Sequence, residues 1–211
     1  NSLAGPIPSG LGDSACSNLA ALNLSMNNLS GSIPQSFASC ASLASVDLSY
    51  NNMSGELPAD TLSEMRALEI LVLSFNQFSG ALPTSILTSH TLKVLDMGSN
   101  KLSGALPSLP PTSNLEEFLV PNNGFSGEIP VAFGNASRLK VLDLSFNHLQ
   151  GPIPHELGLL SQLEKLSIWY NNLSGEIPYT IGYLSKLRIL ILNNNALSGA
   201  IPSGIANCRS E

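Results

Sequence analysis

Apolar residues recur along this chain in a fixed order that mixes two periods, so neither one amphipathic helix nor one sheet explains it. The order is apolar-x-x-apolar-x-apolar-x-x-Asn-x-apolar-x-Gly-x-apolar-Pro, and it runs through eight complete copies. Its first position falls at Leu19, Leu43, Leu68, Leu92, Leu115, Leu139, Leu163 and Leu187, in steps of 23, 24 or 25 residues, and a partial copy, Gly5-Pro6-Ile7-Pro8, leads the chain. Segments such as Leu71-Val72-Leu73 and Leu142-Asp143-Leu144 alternate with period two, which predicts short strands with leucines inward and the intervening residues toward solvent. The second half of each copy, from Gly31 and Pro34 through Gly199 and Pro202, predicts a short extended piece that gives way to an irregular or 3₁₀ return.

A unit of this length buries its leucines only against its neighbours, so residues 1–211 read as a single quasi-one-dimensional solenoid fragment of one partial and eight complete repeats. Parallel strands about 4.8 Å apart give the eight copies a span of roughly 35 to 40 Å. The Asn position is filled without exception by Asn27, Asn51, Asn76, Asn100, Asn123, Asn147, Asn171 and Asn195. Each follows a strand at a corner where backbone donors and acceptors need partners, which predicts a buried ladder of side-chain amides. At Leu106-Pro107-Ser108-Leu109-Pro110-Pro111 the step shortens and two prolines enter the return, so the helical turn should be lost there.

Composition narrows the function. Charged residues are only 11% of the 211, and the net charge of -6 comes from scattered carboxylates, which excludes nucleic acid and anionic membrane surfaces as partners. No stretch is long and apolar enough to span a bilayer, and Asn1 opens inside a repeat, so targeting or membrane segments are expected outside these residues. Cys16, Cys40 and Cys208 each stand three residues before a first-position slot, where other repeats carry Met65, Leu160 or Leu184. That register reads them as buried free thiols acting as small hydrophobes, with a Cys16–Cys40 bridge between adjacent coils as the alternative. His90, His148 and His155 occupy different repeat positions with no metal-ligand spacing, and Asp47, Asp96 and Asp143 fall on non-adjacent strands, too far apart for paired acid–base work. With no phosphate loop, dinucleotide fingerprint or nucleophile elbow, the expectation is no catalytic residue, no cofactor and no metal.

The words LSGEIP, LSFNQFSG, LDLSFNHLQGPIP and NNLSGEIP at this spacing resemble the extracellular leucine-rich repeats of plant receptor-like kinases over essentially the whole chain. Within that class, Leu115 to Cys208 is most similar to the central repeats of the brassinosteroid receptor family. The resemblance implies a plant-specific leucine-rich-repeat solenoid, an α/β-type right-handed superhelix with a parallel sheet on its concave face, short 3₁₀ or irregular convex segments, and no caps in this stretch. It implies a recognition scaffold at the extracellular face of the plasma membrane, part of a serine/threonine kinase whose catalytic domain lies elsewhere. Its partners would be a protein, peptide or small-hormone ligand and a co-receptor ectodomain, with membrane contact only through a segment outside this chain. In that family the steroid is held by an island domain; no insertion interrupts the spacing here, so a hormone pocket is not expected. The alternatives are a secreted inhibitor resembling polygalacturonase-inhibiting proteins in the cell wall, and a spacer with no ligand of its own.

Two solvent-facing columns bear on recognition. The first reads Ala20, Ala44, Glu69, Lys93, Glu116, Lys140, Glu164, Arg188, alternating in sign so that neighbours pair across strands as scaffold. The second, just before the ladder asparagine, reads Met26, Tyr50, Phe75, Ser99, Asn122, Phe146, Tyr170, Asn194, and beside it Trp169 stands where Ser25, Ser49, Ser74 and Ser145 stand elsewhere. Phe146, Trp169 and Tyr170, with Tyr50 and Phe75, are the candidate partner contacts, against the plainer reading that the rings pack flat on neighbouring coils. Sequons occur at Asn23, Asn28, Asn52, Asn135 and Asn172. Asn135, Asn28, Asn52 and Asn172 are the candidate glycan carriers, while Asn23 sits on a strand of the concave face.

Overall fold

The computed structural model describes residues 1–12, 16 and 18–207. Two parallel sheets run the length of the molecule. Eight three-residue strands, from Ala21–Asn23 through Val141–Asp143 to Ile189–Ile191, form the concave sheet in the order of the repeats. Equivalent positions pair, Phe118 with Leu142 and Leu142 with Leu166, so leucine stacks on leucine down one face. Leu95, Phe118, Leu142 and Leu166 are all fully buried.

The other nine strands form a second sheet, from Ala4–Pro6 through His148–Pro152 to Ala196–Ser198. The sequence led us to expect only a brief extended piece before an irregular return, and the second sheet is a correction to that. In Asn28–Gly31 only Leu29 is buried, so a strand with one inward residue shows no alternation to read. Each strand of this sheet carries a glycine at positive φ within its last two residues or just after it, for example 76° at Gly151, where a Cβ would come within 2.8 Å of Glu128 Cγ.

After the sheet, a proline with φ between -60° and -74° precedes each of six helical returns, its locked dihedral starting a turn for which its missing N–H is no loss. The returns are 3₁₀ at Gln35–Ser39, Val131–Asn135, His155–Leu159 and Tyr179–Tyr183, and α-helical at Ala59–Glu64 and Thr84–Leu87. Between Lys101–Ala105 and Glu117–Leu119 no helix forms, and Leu106 and Leu109 fill the core from extended chain.

Cys16 and Cys40 are bonded to each other, not free thiols. Their Cα atoms are 5.2 Å apart because equivalent positions on adjacent coils are separated by about one strand spacing, which is also the span a disulfide needs. Cys208 lies outside the described residues.

Asn147 shows how the ladder works. Its Nδ2 donates to the carbonyls of Leu144 and Ser145 in its own turn and of Val120 one coil earlier, at 3.0 to 3.1 Å, while its Oδ1 accepts from Phe125 N at 3.0 Å. Asn51, Asn76, Asn100, Asn123, Asn171 and Asn195 repeat the pattern, and Asn27 bonds its own turn and the Leu3 N–H. Asn76 and Asn147 are buried; the other six are partly buried.

Candidate recognition surface

The residue before each ladder asparagine adopts the left-handed conformation: Met26, Tyr50, Phe75, Ser99, Asn122, Phe146, Tyr170 and Asn194 have φ between 51° and 56°. The turn that brings the asparagine inward imposes this. For a non-glycine residue it costs about 1 kcal/mol or more, least for asparagine, whose short side chain bonds locally. Asn122 and Asn194 are therefore what the backbone prefers, and rings at the other positions are chosen against that preference.

Those rings gain only part of the burial that would offset the cost. Tyr50, Phe75, Phe146 and Tyr170 keep 46%, 47%, 37% and 54% of their surface exposed. They stack on one another, Tyr50 on Phe75 with centroids 4.2 Å apart and Phe146 on Tyr170 at 4.8 Å. The expected flat packing on neighbouring coils is thus half met: the rings cover each other and leave their edges and outer faces to solvent. Trp169, half-buried, meets Phe146 edge-on at 4.3 Å.

The serines that stand at the Trp169 position elsewhere show what its repeat lacks. Ser49 and Ser145 are buried and donate to Asp47 Oδ1 and Asp143 Oδ1, and the same oxygens accept the serine backbone N–H, closing a tight turn. Asp96 Oδ1 accepts the Gly98 N–H in the same way. The three aspartates are turn caps, and Asp143 also pairs with Lys165 at 3.0 Å, a cross-strand pair the sequence reading missed. In the Trp169 repeat the aspartate position holds Ser167, itself buried and bonded to Ser145, so the indole has no cap to join.

Two depressions flank the Phe146 ring. One, about 420 Å³, opens on the strand face among Ser99, Pro121, Asn122, Asp143, Phe146 and Trp169. The other, about 520 Å³, opens at the sheet's edge among Asn122, Phe146, His148, Tyr170, Asn172 and Asn194. The candidate contacts thus fall into two groups, with Tyr50 and Phe75 a separate pair. Asn122, His148, Asn172 and Asn194 join the second group; their shared repeat positions were the available signal.

The alternating column behaves as scaffold. Lys93 Nζ meets Glu69 Oε2 at 2.7 Å and Lys140 Nζ meets Glu116 Oε2 at 2.6 Å. The hydrogen bond from Lys140 holds the Glu116 carboxyl below its ordinary value and raises Lys140 in turn. Among the described residues no group of three or more His, Cys, Asp or Glu side chains could hold a metal, and no helix is long and apolar enough to cross a membrane.

Comparison with known proteins agrees with this architecture. Family profiles described as leucine rich repeat match residues 113–173, 18–40, 67–88, 186–208 and 88–105, together more than half of the chain. No curated protein matches. Among solved structures, the chain is similar to a TDR receptor, with 35% identity over 98% of this chain and 36% of that one, TM-score 0.91. It is similar to the Arabidopsis receptor kinase HAESA in complex with the peptide hormone IDA and the co-receptor SERK1, with 36% identity over 98% and 34%, TM-score 0.89. It is also similar to the plant peptide hormone receptor RGFR1 in complex with RGF2, with 35% identity over 93% and 31%, TM-score 0.87. The chain spans about a third of the length of these receptor chains. Its repeat, its paired sheets and these likenesses place the chain in the leucine-rich-repeat family, among solenoids of the plant receptor-kinase ectodomain type.

Proposed function

We propose that this chain is a recognition scaffold within the extracellular part of a plant receptor-like serine/threonine kinase, and that Phe146, Trp169 and Tyr170 contact its ligand or a co-receptor. The observation that carries the reading is the set of exposed rings at left-handed positions, where the fold alone favours asparagine, with Trp169 packed edge-on against one of them, Phe146. A protein surface that accepts backbone strain for half-exposed aromatic area is built for contact. The relatives are described with peptide hormones and a co-receptor, which favours a peptide ligand for this chain. The open, polar-edged depression on the strand face suits an extended peptide better than a steroid, which wants an enclosed apolar site. Binding is the whole of its mechanism; the chain orders partners in space and catalysis belongs to other domains.

The test is cross-linking mass spectrometry of the glycosylated full ectodomain with candidate peptides, hormones and co-receptor ectodomains. Cross-links should cluster around Trp169, and Trp169→Ala should weaken capture of the cross-linked partner. Links confined to flanking repeats, with Trp169→Ala binding as before, refute the proposal and leave this stretch a spacer.

A further inference from the structure

Three of the sequons share a geometry that the other two lack. Asn28, Asn52 and Asn172 stand two residues after Met26, Tyr50 and Tyr170, so each follows a left-handed residue whose side chain is exposed. For Asn52 and Asn172 that side chain is an aromatic ring. At Asn135 the residue two before is Phe133, which is fully buried. At Asn23 the Oδ1 already accepts from Ser25 N and Oγ, and the Nδ2 donates to Asp47 at 3.2 Å, so the amide is committed to the strand face.

Asn172 and Tyr170 line the same depression with Asn122, Asn194, His148 and the Phe146 ring, above the ladder amides of Asn123, Asn147 and Asn171. Phe146 stacks on the Tyr170 ring, which still keeps 54% of its surface exposed. From Asn122 to Asn194 is three strand steps, roughly 14 Å. An open ring face rimmed by neutral amides is the chemistry that holds a sugar: the axial C–H bonds of a pyranose lie on the ring, and amide oxygens and N–H groups pair with its hydroxyl and acetamido groups.

We infer that Asn172 is N-glycosylated and that its first N-acetylglucosamine folds back onto the Tyr170 ring, filling this depression; at Asn52 the equivalent face of Tyr50 is taken by Phe75 of the following coil, so no such seat forms there. The transfer forms a bond from Asn172 Nδ2 to the anomeric carbon of a lipid-pyrophosphate-linked oligosaccharide. It breaks the bond from that carbon to the phosphate oxygen, and the amide proton leaves with the pyrophosphate. The seated glycan covers the edge depression and leaves the strand-face depression beside Trp169 open, so Phe146 and Trp169 meet the partner directly and Tyr170 meets it through the sugar.

The inference rests on the extracellular reading above, since only a secreted chain meets the glycosyl donor. The test is glycopeptide mass spectrometry on the protein secreted from plant cells, combined with tyrosine nitration by tetranitromethane. Asn172 should be occupied, and nitration of Tyr170 should rise several-fold in both Asn172→Gln and Ser174→Ala, two independent ways of removing the sequon. Occupied Asn135 with bare Asn172, or an occupied Asn172 with Tyr170 equally reactive in all three proteins, overturns the inference. Sequons bare throughout, in a protein the cell retains, instead overturn the extracellular reading on which it rests.

Discussion

At Phe75 a polar residue should be tolerated better than an aliphatic one, although the wild-type residue is a phenylalanine. Phe75 is 47% exposed, at φ 56°, and stacks on Tyr50 at an interplanar angle of 11°. Phe75→Asn forfeits the buried half of a side chain whose full burial contributes about 2 kcal/mol, hence about 1 kcal/mol. It also loses about 1 kcal/mol of stacking. It regains about 1 kcal/mol because asparagine accepts the left-handed conformation, so the net loss is about 1 kcal/mol. Phe75→Val keeps some apolar burial, but a β-branched residue is a true outlier at this φ and pays about 1 to 2 kcal/mol more than asparagine. Equilibrium urea unfolding of unglycosylated protein, followed by circular dichroism with unchanged m, would measure the difference. The valine variant should be the less stable by about 0.5 to 1 kcal/mol, its strain less the burial it keeps. A valine variant as stable as the asparagine variant would refute the claim that backbone strain, rather than apolar burial, sets the preference in this column, and with it the argument that the rings are there for contact.

Other consequences are as direct. Asn147→Ala removes four hydrogen bonds and leaves the Phe125 N–H buried without an acceptor, so it should cost about 4 kcal/mol in the same assay, far more than Asn27→Ala nearer the end of the stack. Reduction of Cys16–Cys40 opens a loop whose closure stabilises by about 3 kcal/mol, and hydrogen exchange should accelerate across residues 19–50 while residues beyond 139 stay unchanged. Gly158→Ala would drive a Cβ to within 2.5 Å of Thr180 Cβ and against the Thr180 carbonyl oxygen, so the backbone must shift and stability should fall by about 1 to 3 kcal/mol. Because Lys140 lowers the Glu116 pKa, the pair's stabilisation is present above the ordinary carboxylate value and is lost as pH falls through the depressed one; NMR titration should show Glu116 titrating low, and Lys140→Met should bring it back.

How much of this was legible beforehand follows from which residues repeat. The concave strands, the asparagine ladder, the lost helix at Leu106–Pro111 and the paired charges at Glu116 and Lys140 were readable because each rests on one residue type at one repeat position. The second sheet was not, because Asn28–Gly31 and its equivalents expose nearly everything and declare themselves only through backbone pairing. The disulfide stood only as the alternative reading because a small hydrophobe and half a bridge fit the same core slot, and the spacing of 24 residues, one coil, allows both. The aromatic column was found, but the left-handed backbone beneath it was invisible, since asparagine, serine, tyrosine and phenylalanine share the position without a glycine to mark it.

The asparagine ladder has an evolutionary consequence. Because one side chain per coil closes the corner's hydrogen bonds from within, the framework asks of the outward position beside it only that it accept a left-handed backbone, and asparagine, serine, methionine, tyrosine and phenylalanine all stand there. Whole sets of contact residues can then be exchanged, coil by coil, without renegotiating register or core, and a duplicated coil arrives already compatible with its neighbours. A lineage built on such a ladder can diversify what it recognises by point change and by lengthening, at little risk to folding.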